Sequence, residues 1–139
     1  MVFPVNALAI GSQQAADNVI FHADGGYTVI EIETVDTRAA YTRVGSKTAT
    51  RYDADNNVLF VIKLTATFEC NNVSSATCIS CACTVTITDS SWYEVSKVTT
   101  KDGNTASAEV VMGKKILGIT YTKETTNLVI TCSPNGILS

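Results

Sequence analysis

The chain has 139 residues, 45% of them hydrophobic and 17% charged, with ten Lys and Arg against thirteen Asp and Glu for a net charge of −3. That length fits one domain with room for a core that needs no staples. The low charge excludes a disordered charged tail, and the lack of a basic excess excludes a phosphate-backbone binder, so no nucleic-acid partner is expected.

Residues 1–16 carry no charged side chain, yet include Val2, Phe3, Val5, Leu8 and Ile10. No Lys or Arg precedes Arg38, so the positive n-region of a secretory signal is missing. No apolar run approaches the roughly 20 residues that span a bilayer. The expectation is a chain made in the cytoplasm without a signal peptide and with no membrane partner. Ser12 can cap a short helix over residues 13–16, bounded by Gly11 and Asn18. Residues 1–26 read as an N-terminal arm or an extra edge segment. The segment either plugs this domain's own core or packs on a neighbouring subunit. Residues 27–139 read as one β domain.

Threonine dominates the rest. There are twenty, many alternating with Val, Ile or Ala, which is the period of strands with one buried face. Residues 27–35, 38–44 and 47–52 are candidate strands, with Asp24-Gly25-Gly26 before the first and Gly45-Ser46 as a turn between the last two. Residues 57–68 are the clearest case. Val58, Phe60, Ile62, Leu64, Ala66 and Phe68 share one face, and Leu59 and Val61 suggest cover on the other face at that end. Asn71–Thr77 is a polar loop. Residues 82–88 put Cys83, Val85 and Ile87 inward and Thr84, Thr86 and Thr88 outward. Residues 92–100 follow, then 105–112 with Ala106, Ala108, Val110 and Met112 on one side. Gly113-Lys114-Lys115 marks a reversal. Residues 115–122 align Leu117, Ile119 and Tyr121, and residues 127–132 align Leu128, Ile130 and Cys132. Asp55-Asn56-Asn57 and Asp102-Gly103-Asn104 are hairpin turns, because Asn, Asp and Gly tolerate positive φ. No amphipathic stretch is long enough for a crossover helix, so the fold class is all-β: an antiparallel sandwich or barrel of about eight to nine strands.

Few residues carry chemistry. The cysteines are Cys70, Cys78, Cys81, Cys83 and Cys132, an odd number. Cys70, Cys78, Cys81 and Cys83 lie close enough in sequence to pose a zinc site, though the single residue between Cys81 and Cys83 is awkward and no His is near. A Cys70–Cys78 disulfide and unpaired buried thiols are the other two readings. Cys78-Ile79-Ser80-Cys81 has a thiol-redox spacing without its helix N-terminus. His22 and Asp24 are the one imidazole–carboxylate neighbourhood, and they read as a surface pair beside a turn. Asp53-Ala54-Asp55-Asn56-Asn57 resembles the start of a calcium loop but has Val58 and Leu64 where Gly and Glu are required. Glu31 and Glu33 read as an outward strand face, and Trp92 as core or as a stacking platform beside Tyr93. No catalytic residue and no cofactor is assigned, and no enzyme activity is expected.

In composition and layout the chain resembles the small virion proteins of tailed bacteriophages, which are leaderless, β-rich and rich in Thr, Ala, Asn and Asp. Capsid decoration (cement) proteins and tail components share that character. The resemblance carries no residue-specific motif. It implies a virion protein that reinforces a capsid or tail lattice as a homo-oligomer, often a trimer. Low charge agrees, since few ionised groups must leave water when subunits pack. Val2, Phe3, Val5, Leu8 and Ile10 are the candidate partner-binding residues. The alternative reading is a carbohydrate- or ligand-binding sandwich using Trp92 or tyrosines.

Overall fold

The structure, a computed structural model, describes residues 18–35 and 40–139. Among these residues there are eight strands: β1 (Val19–Phe21), β2 (Tyr27–Val35), β3 (Thr42–Tyr52), β4 (Val58–Cys70), β5 (Ala76–Ile87), β6 (Trp92–Asp102), β7 (Thr105–Ile116) and β8 (Ile119–Thr131). All pairs are antiparallel, and within each sheet every strand lies beside its neighbour in sequence. β1–β5 form a five-stranded sheet and β6–β8 a three-stranded one, with the chain crossing between sheets after β5. The two sheets stack as a sandwich. The candidate residues Val2, Phe3, Val5, Leu8 and Ile10 lie outside the described residues. Residues 19–21, within the segment read as an arm or edge, form the edge strand β1.

The core follows from the alternation. Phe60, Ile62, Leu64, Ala66, Phe68 and Cys70 of β4 meet Ala106, Ala108, Val110 and Met112 of β7 and Leu128, Ile130 and Cys132 of β8. Leu59 is buried as well, so both faces of β4 are covered at that end. Removing this apolar area from water drives the stacking.

The two flanks of the sandwich differ. On one, β5 and β6 are tied together. The Cys78 N–H donates to the Gly103 carbonyl at 2.7 Å, and Lys101 Nζ to the Ile79 carbonyl at 2.9 Å. On the other, Lys47 Nζ reaches across from β3 to the Val129 carbonyl at 2.8 Å. There the C-terminal residues also fold back. Thr131 and Ser139 exchange both backbone hydrogen bonds at 3.0 and 2.9 Å, and Cys132 bridges Leu138. Beyond this, β1 and β2 form the outer part of the larger sheet.

Several sequence expectations change. Gly45-Ser46 is not a turn; β3 runs unbroken from Thr42 to Tyr52. A Cβ at Gly45 would lie 2.3 Å from Leu138 Cδ1, so this glycine makes room for the returning tail. Gly113-Lys114-Lys115 is not a reversal either. Gly113 stays in β7, where a Cβ would meet the Tyr93 ring within 2.7 Å, and the chain turns at Leu117-Gly118 instead. Residues 115–122 and 127–132 accordingly belong to β8 and to the end of β7, not to two separate strands. In each case a ring or side chain occupies the missing Cβ's space, so Gly marks contact, not turning. β5 begins at Ala76, and Ile87, in phase with the core face, is exposed at the end of this edge strand.

Candidate functional site

The cysteines do not assemble a metal centre. A bulge at Ile79 shifts β5 so that Thr67 faces Ser80 and Phe68 faces Cys78. This puts Cys78 in phase with Cys81 and Cys83 on the inner face. Even so, Cys83 lies opposite Leu64, six residues along β4 from Cys70, or about 20 Å at strand rise. Zinc holds each sulfur at about 2.3 Å, so one ion cannot bind Cys70, Cys78, Cys81 and Cys83. Among the described residues, no group of three or more His, Cys, Asp or Glu side chains is placed to hold a metal. All five thiols are free, Cys70 and Cys78 included.

The fifth cysteine joins them instead. Burial pushes the Cys132 thiol above its ordinary value, and neighbouring Cys70 and Cys78 add to the shift. Burial also raises Cys78, helped by Cys81, and raises Cys83 against the pull of Lys97. These are neutral, inert thiols, since reactivity needs the thiolate. A water-soluble disulfide reagent on native protein should label one cysteine quickly, the half-exposed Cys81. The other four should react only on unfolding, as peptide mass mapping would show. Fast labelling of Cys70 or Cys132 would contradict this burial.

The residue group that the fold does bring together is ionic. Arg51, in β3, is 1% exposed. Its Nε donates to Glu124 Oε1 at 2.9 Å and its Nη2 to Glu124 Oε2 at 2.7 Å. Nη2 also donates to Asp24 Oδ2 at 2.9 Å, and Nη1 to the Tyr52 carbonyl. The guanidinium lies 5.7 Å from the centre of the Trp92 ring. Gly26 permits this, because a Cβ there would stand 2.2 Å from Arg51 Nη1 and 2.4 Å from the Tyr52 carbonyl. Burial pulls the Arg51 pKa down, and Glu124 and Asp24 more than restore it. Burial likewise pushes Asp24 up, but the Gly26 N–H and Arg51 hold it below its ordinary value.

His22 belongs to the same cluster. Its Nδ1 lies 4.0 Å from Glu124 Oε2, and Nε2 is 2.7 Å from Thr28 Oγ1. His22 is therefore a half-buried partner of Thr28, not a free surface histidine beside its turn. The imidazole and two carboxylates invite comparison with acid–base machinery. However, both Glu124 oxygens are engaged by Arg51, and the one hydroxyl at hand, on Thr28, is buried. A cavity of about 520 Å³ lies elsewhere, lined by Tyr41, Glu69, Cys70, Asn71, Ser75 and Thr77. The cluster works as a clasp, joining the β1–β2 turn and β3 to β8.

Sequence reading missed Arg51 and Glu124. A signal existed: Glu124 is in phase with buried Leu128 and Ile130, and Arg51 with Ala49. A charge at an inward position of a strand needs a partner.

The other candidates resolve simply. Asp53 accepts the Asp55 and Asn57 N–H groups at 2.8 and 2.9 Å, and Asn56 has φ 67°, so this stretch is a hairpin turn. Glu31 and Glu33 are exposed on one face of β2. Trp92 is buried with its ring 5.1 Å from Phe60, which leaves no stacking platform.

Exposed apolar groups concentrate in two places. The first is the β1–β2 side. The Ile30 N–H donates to the Asn18 carbonyl at 2.7 Å, and β1 pairs only with Tyr27–Val29. From Glu31 to Val35 no described strand covers the outer edge of β2, and Ile20, Ile32 and Val35 are exposed there. Phe21, 78% exposed, leads a row with Tyr27 at 6.4 Å and Tyr52 stacked a further 4.9 Å on. The second place is the β7–β8 turn. No protein family, curated protein or solved structure matches this chain.

Proposed function

We propose that this chain is a non-catalytic structural subunit of a virion, a capsid decoration (cement) or tail protein, that binds and reinforces a protein lattice. The observation that carries the reading is an outer edge of β2 that, among the described residues, no strand covers from Glu31 to Val35. The half-paired edge of β2 lies beside exposed Ile20, Ile32 and Val35. An edge of unpaired N–H and C=O groups next to apolar side chains is a template for another chain. In this reading Val2, Phe3, Val5, Leu8 and Ile10 anchor on a neighbouring subunit. Each large side chain so buried contributes about 1.5–3 kcal/mol, repeated by symmetry. The aromatic row of Phe21, Tyr27 and Tyr52, with the two tyrosines stacked, favours a second reading, a carbohydrate-binding sandwich.

Light scattering after size exclusion tests the first reading. The full chain should form a homo-oligomer. Deleting residues 1–10, or combining Ile20→Asp with Ile32→Asp, should give monomers with unchanged β circular dichroism. A deletion variant that assembles normally rejects the arm, and a full chain that stays monomeric rejects the oligomer. Glycan retention by such a monomer, lost in Phe21→Ala, would establish the second reading instead.

A further inference from the structure

The β7–β8 turn is built against its own folding preference. Leu117 (φ 54°) and Gly118 (φ 79°) both have positive φ, between the paired residues Ile116 and Ile119. This two-residue turn favours Asn-Gly, because a branched side chain is strained in the left-handed region. The chain follows that preference elsewhere, with Asn56 (φ 67°) in the β3–β4 turn and Gly103 (φ 57°) in the β6–β7 turn. Only here among its described positive-φ residues is the side chain a large aliphatic one. Leu117 gains nothing from the fold in return, being 96% exposed. Ile119 and Tyr121 are 72% and 71% exposed, and Ile116 is exposed too. The tip also projects. β6 ends its pairing with β7 at Trp92–Lys114, while β7 and β8 continue to Ile116–Ile119.

Charge is segregated around this tip. Residues 110–123 hold Lys114, Lys115 and Lys123 and no Asp or Glu, in a chain whose net charge is −3. Lys115 and Lys123 are exposed, and Lys115 Nζ sits 4.7 Å from the centre of the Tyr93 ring. Lys114 is half-buried with its Nζ 5.9 Å from the centre of the Trp92 ring, which leaves Lys115 and Lys123 as the outward cations.

We propose that the β7–β8 tip docks on an anionic lipid bilayer, with Leu117 and Ile119 entering the acyl boundary and Lys115 and Lys123 at the headgroups. Two arguments select a bilayer over a protein. The basic collar complements anionic headgroups, with Tyr93 and Tyr121 placed where amphipathic rings favour the interface. The apolar tip is also small, a few side chains totalling roughly a few hundred Å², against about 800 Å² per partner in a stable protein interface. A fluid bilayer requires no matching shape. The contact is peripheral, and among the described residues no helix is long and apolar enough to cross a membrane. It is independent of the subunit contacts proposed above.

Flotation of the full chain with phosphatidylcholine vesicles, with and without phosphatidylserine, tests this. Binding should require the anionic lipid and weaken with salt. Leu117→Asn should reduce it by about tenfold to a hundredfold while raising the melting temperature, since Asn suits the turn. Exchanging both Lys115 and Lys123 for Gln should remove the salt dependence. In Leu117→Trp, lipids brominated in the acyl chains should quench the new indole and spare buried Trp92. No binding to anionic vesicles, or equal binding by Leu117→Asn, overturns the proposal. Self-association that Leu117→Asn abolishes, in the absence of vesicle binding, would make the tip a protein contact and also overturn it.

Discussion

Arg51→Ala should destabilise the fold by about 3–5 kcal/mol, read from urea unfolding. The guanidinium is buried and holds Glu124 with two hydrogen bonds and Asp24 with one. Removing it strands the Glu124 carboxylate between the sheets and empties the space beside Trp92. Asp24 is half-exposed and can rehydrate, so it contributes little of this loss. Replacing the pair together, Arg51→Met with Glu124→Leu, should cost less than Arg51→Ala alone, because no uncompensated charge remains. A loss under about 1 kcal/mol for Arg51→Ala would show that the cluster does not clasp the sheets.

The same cluster sets an acid limit. Asp24 is held below its ordinary 3.8 in the folded chain, so the unfolded chain takes up that proton first as pH falls. Its contribution is full above 3.8 and is lost as pH drops through the lower folded value. Asp53 and Asp89, held low chiefly by backbone N–H groups of Asn57 and Ser91, act with the same sign in the same window. Asp24→Asn should therefore flatten the acid limb of the stability profile in part.

Phe68→Ala should cost about 3–5 kcal/mol for a different reason. Phe68 is fully buried on β4, directly opposite Cys78 at the β5 bulge. Its neighbours belong to two hydrogen-bonded sheets and cannot collapse into the space. Val98→Ala, on the exposed strand β6, should stay within about 0.5 kcal/mol. Urea midpoints of the two variants give the comparison directly. Similar losses would mean that the stacked sheets do not carry the stability.

The alternating Thr pattern was a sound guide to strands because a half-buried pleat imposes period two on any sequence. It placed the face of β4 from Phe60 to Phe68 correctly, along with the turns at Asn56 and Gly103. It failed at Gly45 and Gly113, where glycine yields space to Leu138 and Tyr93. Those partners lie 93 and 20 residues away in sequence, so no local window contains them. The cysteine run left three readings open, and the structure shows the one with unpaired, mostly buried thiols. Four cysteines within fourteen residues look convergent, yet an extended strand separates the ends of such a run. The ionic clasp was hidden because Arg51 and Glu124 lie 73 residues apart.

The sequence by itself determined the all-β class and the buried faces of β4 and β7, since these depend on side-chain period and residue type. Only the tertiary structure decided that Arg51 joins Asp24 and Glu124, that Cys132 comes beside Cys70 and Cys78 while Cys83 lies apart, and that no described strand covers the outer edge of β2 from Glu31 to Val35. Those outcomes depend on which strands stack and how far each extends beyond its neighbour, and sheet registry brings together residues that no local pattern links.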